Sequence, residues 1–195
     1  MPVRLDTGER RGTGLNFGST DSIPAAVLVL IAPDRDPAED ADAEVILIQR
    51  VARGGHHSGE MSLPGGRVEP SDGSDAYAAL REAAEEVALD ADAAGVRVVG
   101  ELEPFWIPVS GYRVTPIVAI AARRPALAPS PAEVVAIVRA PLDAFLPGAP
   151  IELVETTVRG IPIRFGAYPV AGHRVWGATA RILGQLGATV GEGGA

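Results

Sequence analysis

Apolar and polar positions fall in blocks along this chain, and the period of the blocks changes as the chain proceeds. AAVLVLIA (25–32) is an unbroken apolar, β-branched run, which predicts a buried strand. VILIQR (45–50) predicts a second strand, and the polar, proline-bearing PDRDPAEDADAE (33–44) between them predicts a hairpin with a long tip. ARGGHHSGEMSLPGG (52–66) is glycine-rich and irregular, with a short strand expected at its end. The period then becomes helical. Ala76, Leu80, Ala83 and Val87 make an apolar stripe, so a helix is expected from about Asp75 to Ala88, capped by Asp72 or Ser74.

Strand-like patterns return at 96–108 and 112–122. AEVVAIVRA (132–140) fits either strand or helix, and Pro141 opens a short turn or helix. IELVETTV (151–158) and IPIRFGAYPV (161–170) predict a late hairpin around Arg159-Gly160. HRVWGATARILGQLG (173–187) is read as an amphipathic helix with Val175, Ala178, Ile182 and Leu186 on its apolar face. A loose tail (1–21), one domain (22–187) and a disordered C-terminal tail (188–195) complete the expected organisation.

The helix at 75–88 carries an anomaly. Glu82, Glu85 and Glu86 stand at i, i+3 and i+4, on one face roughly opposite the apolar stripe. Like charges so spaced repel by about 0.2–0.5 kcal/mol per pair, and the C-terminal end of a helix disfavours anions. Arg81 can meet Glu85 one turn on. Such a cluster becomes favourable once hard cations bind it, and carboxylate oxygens suit Mg²⁺ or Mn²⁺. Pro64-Gly65-Gly66 lies just upstream, where a glycine backbone can approach a ligand closely.

Composition narrows the chemistry. A net charge of −8 argues against an electrostatic nucleic-acid binder, and a phosphate-bearing substrate would need its repulsion offset by cations. There is no cysteine, which excludes disulfides, thiolate catalysis and cysteine zinc sites. The opening MPVRLDTGERRGTG offers no apolar signal core, and the apolar run at 25–32 is too short to span a bilayer, so a cytoplasmic protein without membrane contact is expected. Other site patterns fail on inspection. A calcium loop starting at Asp34 would need Gly at 39 and Glu at 45 but meets Glu39 and Val45. His56, His57 and His173 lack zinc spacing, Ser58 lacks a nucleophile elbow, and no phosphate-binding GxxxxGK[ST] occurs. Trp106, Trp176, Tyr112 and Phe105 are read as core rather than base-stacking residues.

GRVEPSDGSDAYAALREAAEEVAL (66–89) resembles the box of the Nudix hydrolase superfamily. Gly66, Arg81, Glu82, Ala83, Glu85, Glu86 and Leu89 match in order. Asp72 stands where the first glutamate is usual, eight residues separate it from Arg81 where seven are usual, and Ala88 replaces the late glycine. ILIQRVARGGHHSGEMSLPGG (46–66) and HRVWGATARIL (173–183) are similar to motifs of the coenzyme A pyrophosphatase branch, with Val51, Gly55 and Leu63 departing from the first. The resemblance spans about residues 25–187.

What the resemblance implies is concrete. The fold class would be α/β, a Nudix fold, with an α/β/α sandwich around a mixed central sheet. Glu82 and Glu86 would be the main ligands of Mg²⁺ or Mn²⁺, with Glu85 a further or water-mediated ligand and the Gly66 carbonyl completing the set. Arg81 would hold the glutamates in place. The general base stays open among Glu82, Glu86 and, from a loop, Glu133. Arg50, Arg53, His57 and Arg67 would line the substrate. The substrate would be a nucleoside diphosphate derivative, coenzyme A or a derivative within the branch, with ADP-ribose, dinucleotides and nucleoside triphosphates as alternatives. A homodimer is compatible with this reading. A non-catalytic binding module of the same fold is the rival, but such proteins commonly lose box glutamates and all three are present here.

Overall fold

The computed structural model describes residues 3–4, 22–36, 38, 41–51, 60–107, 110–158 and 161–192. In chain order the elements are β1 (Val3–Arg4), β2 (Ile23–Pro33), β3 (Ala43–Arg50), β4 (Met61–Ser62), β5 (Gly65–Arg67), α1 (Asp75–Val87), α2 (Ala91–Ala94), β6 (Val96–Glu101), β7 (Phe105–Ile107), β8 (Tyr112–Ala121), β9 (Val134–Pro141), a 3₁₀ turn (Leu142–Phe145), β10 (Glu152–Val158), β11 (Ile161–Val170), β12 (His173–Val175) and α3 (Gly177–Glu192).

The unbroken apolar run of β2 is buried on both faces, as strands paired in parallel usually are. β2 pairs in parallel with β8 from Ile23↔Tyr112 to Ile31↔Ile120 and antiparallel with β3 from Ile31↔Val45. β3 continues the mixed sheet to β4 and β9, β5 pairs with β2, and β6 and β7 pair with β8. Alternate residues divide this sheet into two apolar layers. Ala26, Leu28, Leu30, Ile46 and Ile48 meet Ala78, Ala79, Ala83 and Val87 of α1. Val29, Val45 and Leu47 meet Phe145 and Ile182, Leu183 and Leu186 of α3. The result is the expected α/β/α sandwich around a mixed sheet. A smaller antiparallel sheet of β1, β10, β11 and β12 accompanies it.

Several expectations are corrected here. The undecided segment 132–140 is strand from Val134 onward, because β9 pairs with β3 from Glu44↔Pro141 to Arg50↔Val134. The C-terminal helix does not begin at 173: His173–Val175 pairs with β11, and α3 starts at Gly177, whose φ is +65°. It then runs to Glu192, into the stretch expected to be a disordered tail. Val3 and Arg4 pair with Arg164 and Ile163, so the N-terminal stretch is tied to the small sheet at that point. Ala76 and Leu80 pack at the edge of the core, while Ala78, Ala79, Ala83 and Val87 are the buried apolar residues of α1. Phe105 is core, but Trp106 and Trp176 are only half-buried, Trp176 stacking on Phe165 with ring centroids 4.8 Å apart. Ala88 does not blunt the helix end: it adopts a left-handed φ of 54° and its amide donates to the Ala83 carbonyl, the turn a glycine would make.

Candidate active site

Ser74 caps α1, its Oγ accepting from the Tyr77 amide at 3.1 Å. The turn before it, 69–72, closes through the Asp72 carboxylate, which accepts from the Glu69 amide at 2.7 Å. Asp72 is buried and takes the Arg81 guanidinium in a two-point grip, Nε to Oδ1 at 2.8 Å and Nη2 to Oδ2 at 3.0 Å. This is the planar, bidentate geometry for which arginine is suited. The bonds to Arg81 hold the Asp72 carboxyl below its ordinary value, and the same bonds raise Arg81 further. Arg81 spends its remaining donors on Glu82 at 3.0 Å, Glu85 at 3.3 Å and the Arg67 carbonyl at 3.1 Å. One guanidinium thus ties the turn, the helix and β5 together.

The glutamates part company at this point. Glu85 is exposed and Glu82 mostly covered, its side chain 16% exposed. Glu86, expected on the open face, is fully buried. Its Oε2 accepts from the Gly65 amide at 2.9 Å and its Oε1 pairs with Arg50. Arg50 also donates to the Gly65 carbonyl at 3.3 Å. Glu82 and Glu86 lie against the Gly65-Gly66 turn, while Glu85 of the same face points to solvent.

The turn explains both glycines. Gly65 has φ +148°, and a Cβ there would lie 2.4 Å from the Ala26 carbonyl oxygen. Gly66 has no such backbone demand. A Cβ on it would instead lie 2.5–2.6 Å from the Cδ and both carboxylate oxygens of Glu82. Gly66 is therefore a glycine because the Glu82 carboxylate occupies the space its side chain would fill.

Burial pushes the Glu82 carboxyl above its ordinary value, opposed by Arg81, with Glu85 and Glu133 adding repulsion. Burial likewise pushes Glu86 up, against the pull of Arg50 and the Gly65 amide, with Glu82 adding repulsion. Glu133 is thereby brought to the same site. Its turn is locked to α1 and β3 through Ser130 N to the Glu86 carbonyl at 2.8 Å and Val51 N to the Glu133 carbonyl at 2.9 Å. Among the described residues, no three acidic or histidine side chains converge closely enough to hold a cation as they stand. Arg81 engages Glu82 and Glu85, and Arg50 engages Glu86. The donor set, clustered carboxylates repelling one another beside a glycine whose missing Cβ leaves them room, nonetheless suits a hard divalent cation.

Arg67 is exposed and lies over the Tyr112 ring, 5.9 Å from its centroid. Its register partner Ala25 belongs to the core layer away from α1, so Arg67 projects on the opposite side of the sheet from Glu82. Arg53 and His57 lie outside the described residues. In the 33–44 loop, Asp34 accepts from the Asp42 amide at 3.0 Å and pairs with Arg35, the bonding of a self-closed turn. Sequence reasoning missed the Arg50–Glu86 pair, whose partners are 36 residues apart. It also missed Thr179, buried in the WGATA stretch, whose Oγ1 donates to the Met61 carbonyl at 3.0 Å and pins α3 to β4.

A family model described as NUDIX domain matches residues 23–154. Nudix hydrolase 22, chloroplastic, of Arabidopsis thaliana is 39% identical over 165 residues, covering 82% of this chain and 52% of that protein. Nudix hydrolase 15, mitochondrial, of the same plant is 37% identical, covering 82% of this chain and 55% of that protein, so this chain spans about half the length of either. The uncharacterized Nudix hydrolase NudL of Cronobacter sakazakii is 35% identical over 178 residues, covering 91% of this chain and 88% of that protein. Among solved structures, a MutT/nudix family protein from Enterococcus faecalis superposes with a TM-score of 0.52 at 17% identity, over 88% of this chain and 63% of that one, a likeness of fold.

Proposed function

This chain belongs to the Nudix family, and from that premise we propose that it hydrolyses the diphosphate linkage of a nucleoside diphosphate derivative with the aid of Mg²⁺ or Mn²⁺. The observation that carries the reading is the seating of Glu82 against Gly66, with Glu85 and Glu86 on the same helix face. A structural helix has no need to place a half-buried carboxylate where a single methyl would displace it.

In this reading Glu82, Glu86 and the Gly66 carbonyl hold the cations, with Glu85, exposed at the rim, as a further ligand. When bound, such cations neutralise a diphosphate and make water a better nucleophile. Arg81, fixed by Asp72, sets the position of Glu82 and Glu85. Glu133 is the general base: its carboxylate takes the proton of the attacking water. It acts from a turn rather than from α1, outside the ligand set, so its lone pairs are not committed to a cation. Arg50, Arg53 and His57 are assigned to the substrate; Arg67, expected with them, projects on the other side of the sheet from Glu82 and is left out.

The first substrate to test is coenzyme A or a derivative, cleaved to adenosine 3′,5′-bisphosphate and 4′-phosphopantetheine. Support comes from the Arg50, Pro64-Gly65-Gly66 and WGATA resemblances. The structural work done by Gly65, Gly66 and Thr179 gives those motifs a physical basis. A cytoplasmic location fits, and among the described residues no helix is long and apolar enough to cross a membrane. The test is incubation with Mg²⁺ or Mn²⁺ and a panel of coenzyme A, ADP-ribose, NADH, diadenosine polyphosphates and dNTPs, with products identified. Turnover of ADP-ribose without coenzyme A would overturn the branch assignment alone. No turnover of any would overturn the hydrolase reading.

A further inference from the structure

Arg50 reaches Glu86 from the last position of β3, where the pairing with β9 is irregular. The register of β3 against β9 slips between Gln49 and Arg50: Gln49 faces Ala136, Arg50 faces Val134, and Val135 is looped out and 58% exposed. The extra residue belongs to β9, opposite the end of β3. From that end Arg50 donates to the Gly65 carbonyl and pairs with Glu86. The Glu86 carboxylate then has both oxygens engaged, one by the Gly65 amide and one by Arg50, with no surface open to water. The two partners differ in how firmly they are held. The Gly65 amide is fixed in a turn whose backbone no other residue would adopt. Arg50 keeps 32% of its side chain exposed, so its head can leave for solvent without opening the core.

We propose that Arg50 is an exchangeable counter-ion for Glu86: its guanidinium holds the carboxylate oxygen that a divalent cation would take, so cation binding and the Arg50–Glu86 pair exclude each other. This rests on the reading of Glu86 as a cation ligand. A buried carboxylate without any cation is costly, so a resident arginine keeps the site assembled until the divalent cation arrives. Once displaced, Arg50 is an unpaired cation at the rim of the same site, free to meet an anionic substrate. Loading the cation thereby creates the phosphate contact, which favours cation first and substrate second. The apparent affinity for the cation is lowered by the fraction of molecules in which Arg50 occupies Glu86.

The test is Mn²⁺ titration of the metal-free protein without substrate, followed by loss of the free-ion EPR signal, in the wild type, Arg50→Met and Arg50→Lys. Arg50→Met removes the competitor and should bind Mn²⁺ about tenfold more tightly, with Arg50→Lys in between. A purely structural arginine would have the opposite effect, since its loss would loosen the site and weaken Mn²⁺ binding. The unfolding midpoint of Arg50→Met should lie below wild type without Mn²⁺, with the gap closing at saturating Mn²⁺. Wild-type binding with equal or weaker affinity in Arg50→Met overturns the counter-ion role alone. If Arg50→Met does not fold, equal or weaker affinity in Arg50→Lys does the same. No Mn²⁺ binding by the folded wild type overturns the proposed function together with this inference.

Discussion

Gly66→Ala isolates the Glu82 seat from every other role of the glycine turn. Gly66 is not at a positive φ, so alanine meets no backbone penalty there. On backbone grounds alone the change is neutral or stabilising by about 0.4–1 kcal/mol, through a less flexible unfolded chain. The added Cβ, however, would lie 2.5 Å from the Glu82 carboxyl carbon, where ordinary contact begins at 3.4 Å, so the carboxylate must retreat by about 0.9 Å. It can do so cheaply, being the end of a flexible side chain, and Arg81 is there to receive it. Stability should therefore hold while geometry fails. A misplacement of about 1 Å near reacting groups costs on the order of 10²-fold in rate, equivalent to about 2.7 kcal/mol of transition-state stabilisation. The assay is kcat/KM on the substrate identified above, beside the unfolding midpoint of the metal-free protein. In a Glu82→Gln background, whose amide is already a poor cation ligand, Gly66→Ala should cost little more. Wild-type turnover in a folded Gly66→Ala protein, or equal losses in both backgrounds, would refute the claim that Glu82 is why this position is glycine.

Glu86→Gln should remain folded, keeping its acceptor for the Gly65 amide, yet lose at least about 10²-fold in turnover, the upper end of what even outer partners of cation ligands cost; a kcat assay decides. Asp72→Asn should lower kcat and weaken Mn²⁺ binding with little change in fold content by circular dichroism, because the Arg81 grip loses its charge while its shape remains. Ala88→Gly should stabilise by up to about 1 kcal/mol in denaturant melts, since the left-handed cap is strained for alanine. For pH, the folded state binds more protons than the unfolded at Glu82 and Glu86, so metal-free stability should fall as pH rises above about 4.5, the ordinary glutamate value, and Glu86→Gln should flatten that slope. Asp72 acts in the opposite sense: its contribution is present above its ordinary value of 3.8 and is lost only as pH falls below it, so chemical melts across pH should show stability declining again in strong acid.

Much of this molecule is legible in the chain. β2 and β3 follow from apolar runs, and α1 from a 3.6-residue stripe ended by a capping serine. What failed did so where partners from distant segments decide. A helical wheel places Glu86 beside Glu82 and Glu85 but holds no information about what covers them. For Glu86 the cover is a turn 21 residues upstream and a strand end 36 residues upstream. β9 could not be told from helix by pattern, since pairing with β3 settles it. The start of α3 was misread because Val175 suits a helical stripe as well as it suits the register with Tyr168 that it adopts. The i+4 spacing predicts the Arg81–Glu85 pair, but Asp72, which fixes Arg81, lies nine residues away across a turn.

The distribution of arginines gives the acidic helix its logic. In a chain of net charge −8, a cluster of carboxylates would raise the cost of the folded state unless something answered it. Two guanidiniums do so in different ways. Arg81 answers Asp72, Glu82 and Glu85 together, is mostly covered, and is itself gripped at two points, so it is a permanent part of the frame. Arg50 answers Glu86 alone from a strand end with a third of its side chain in solvent. The permanent cation fixes where the carboxylates stand. The loosely held one engages the innermost carboxylate from the partly open side of the site. A helix whose charges look misplaced in isolation thus has each of its three clustered carboxylates met by a guanidinium, and under the counter-ion proposal the Glu86 oxygen that Arg50 holds is the one a divalent cation would take.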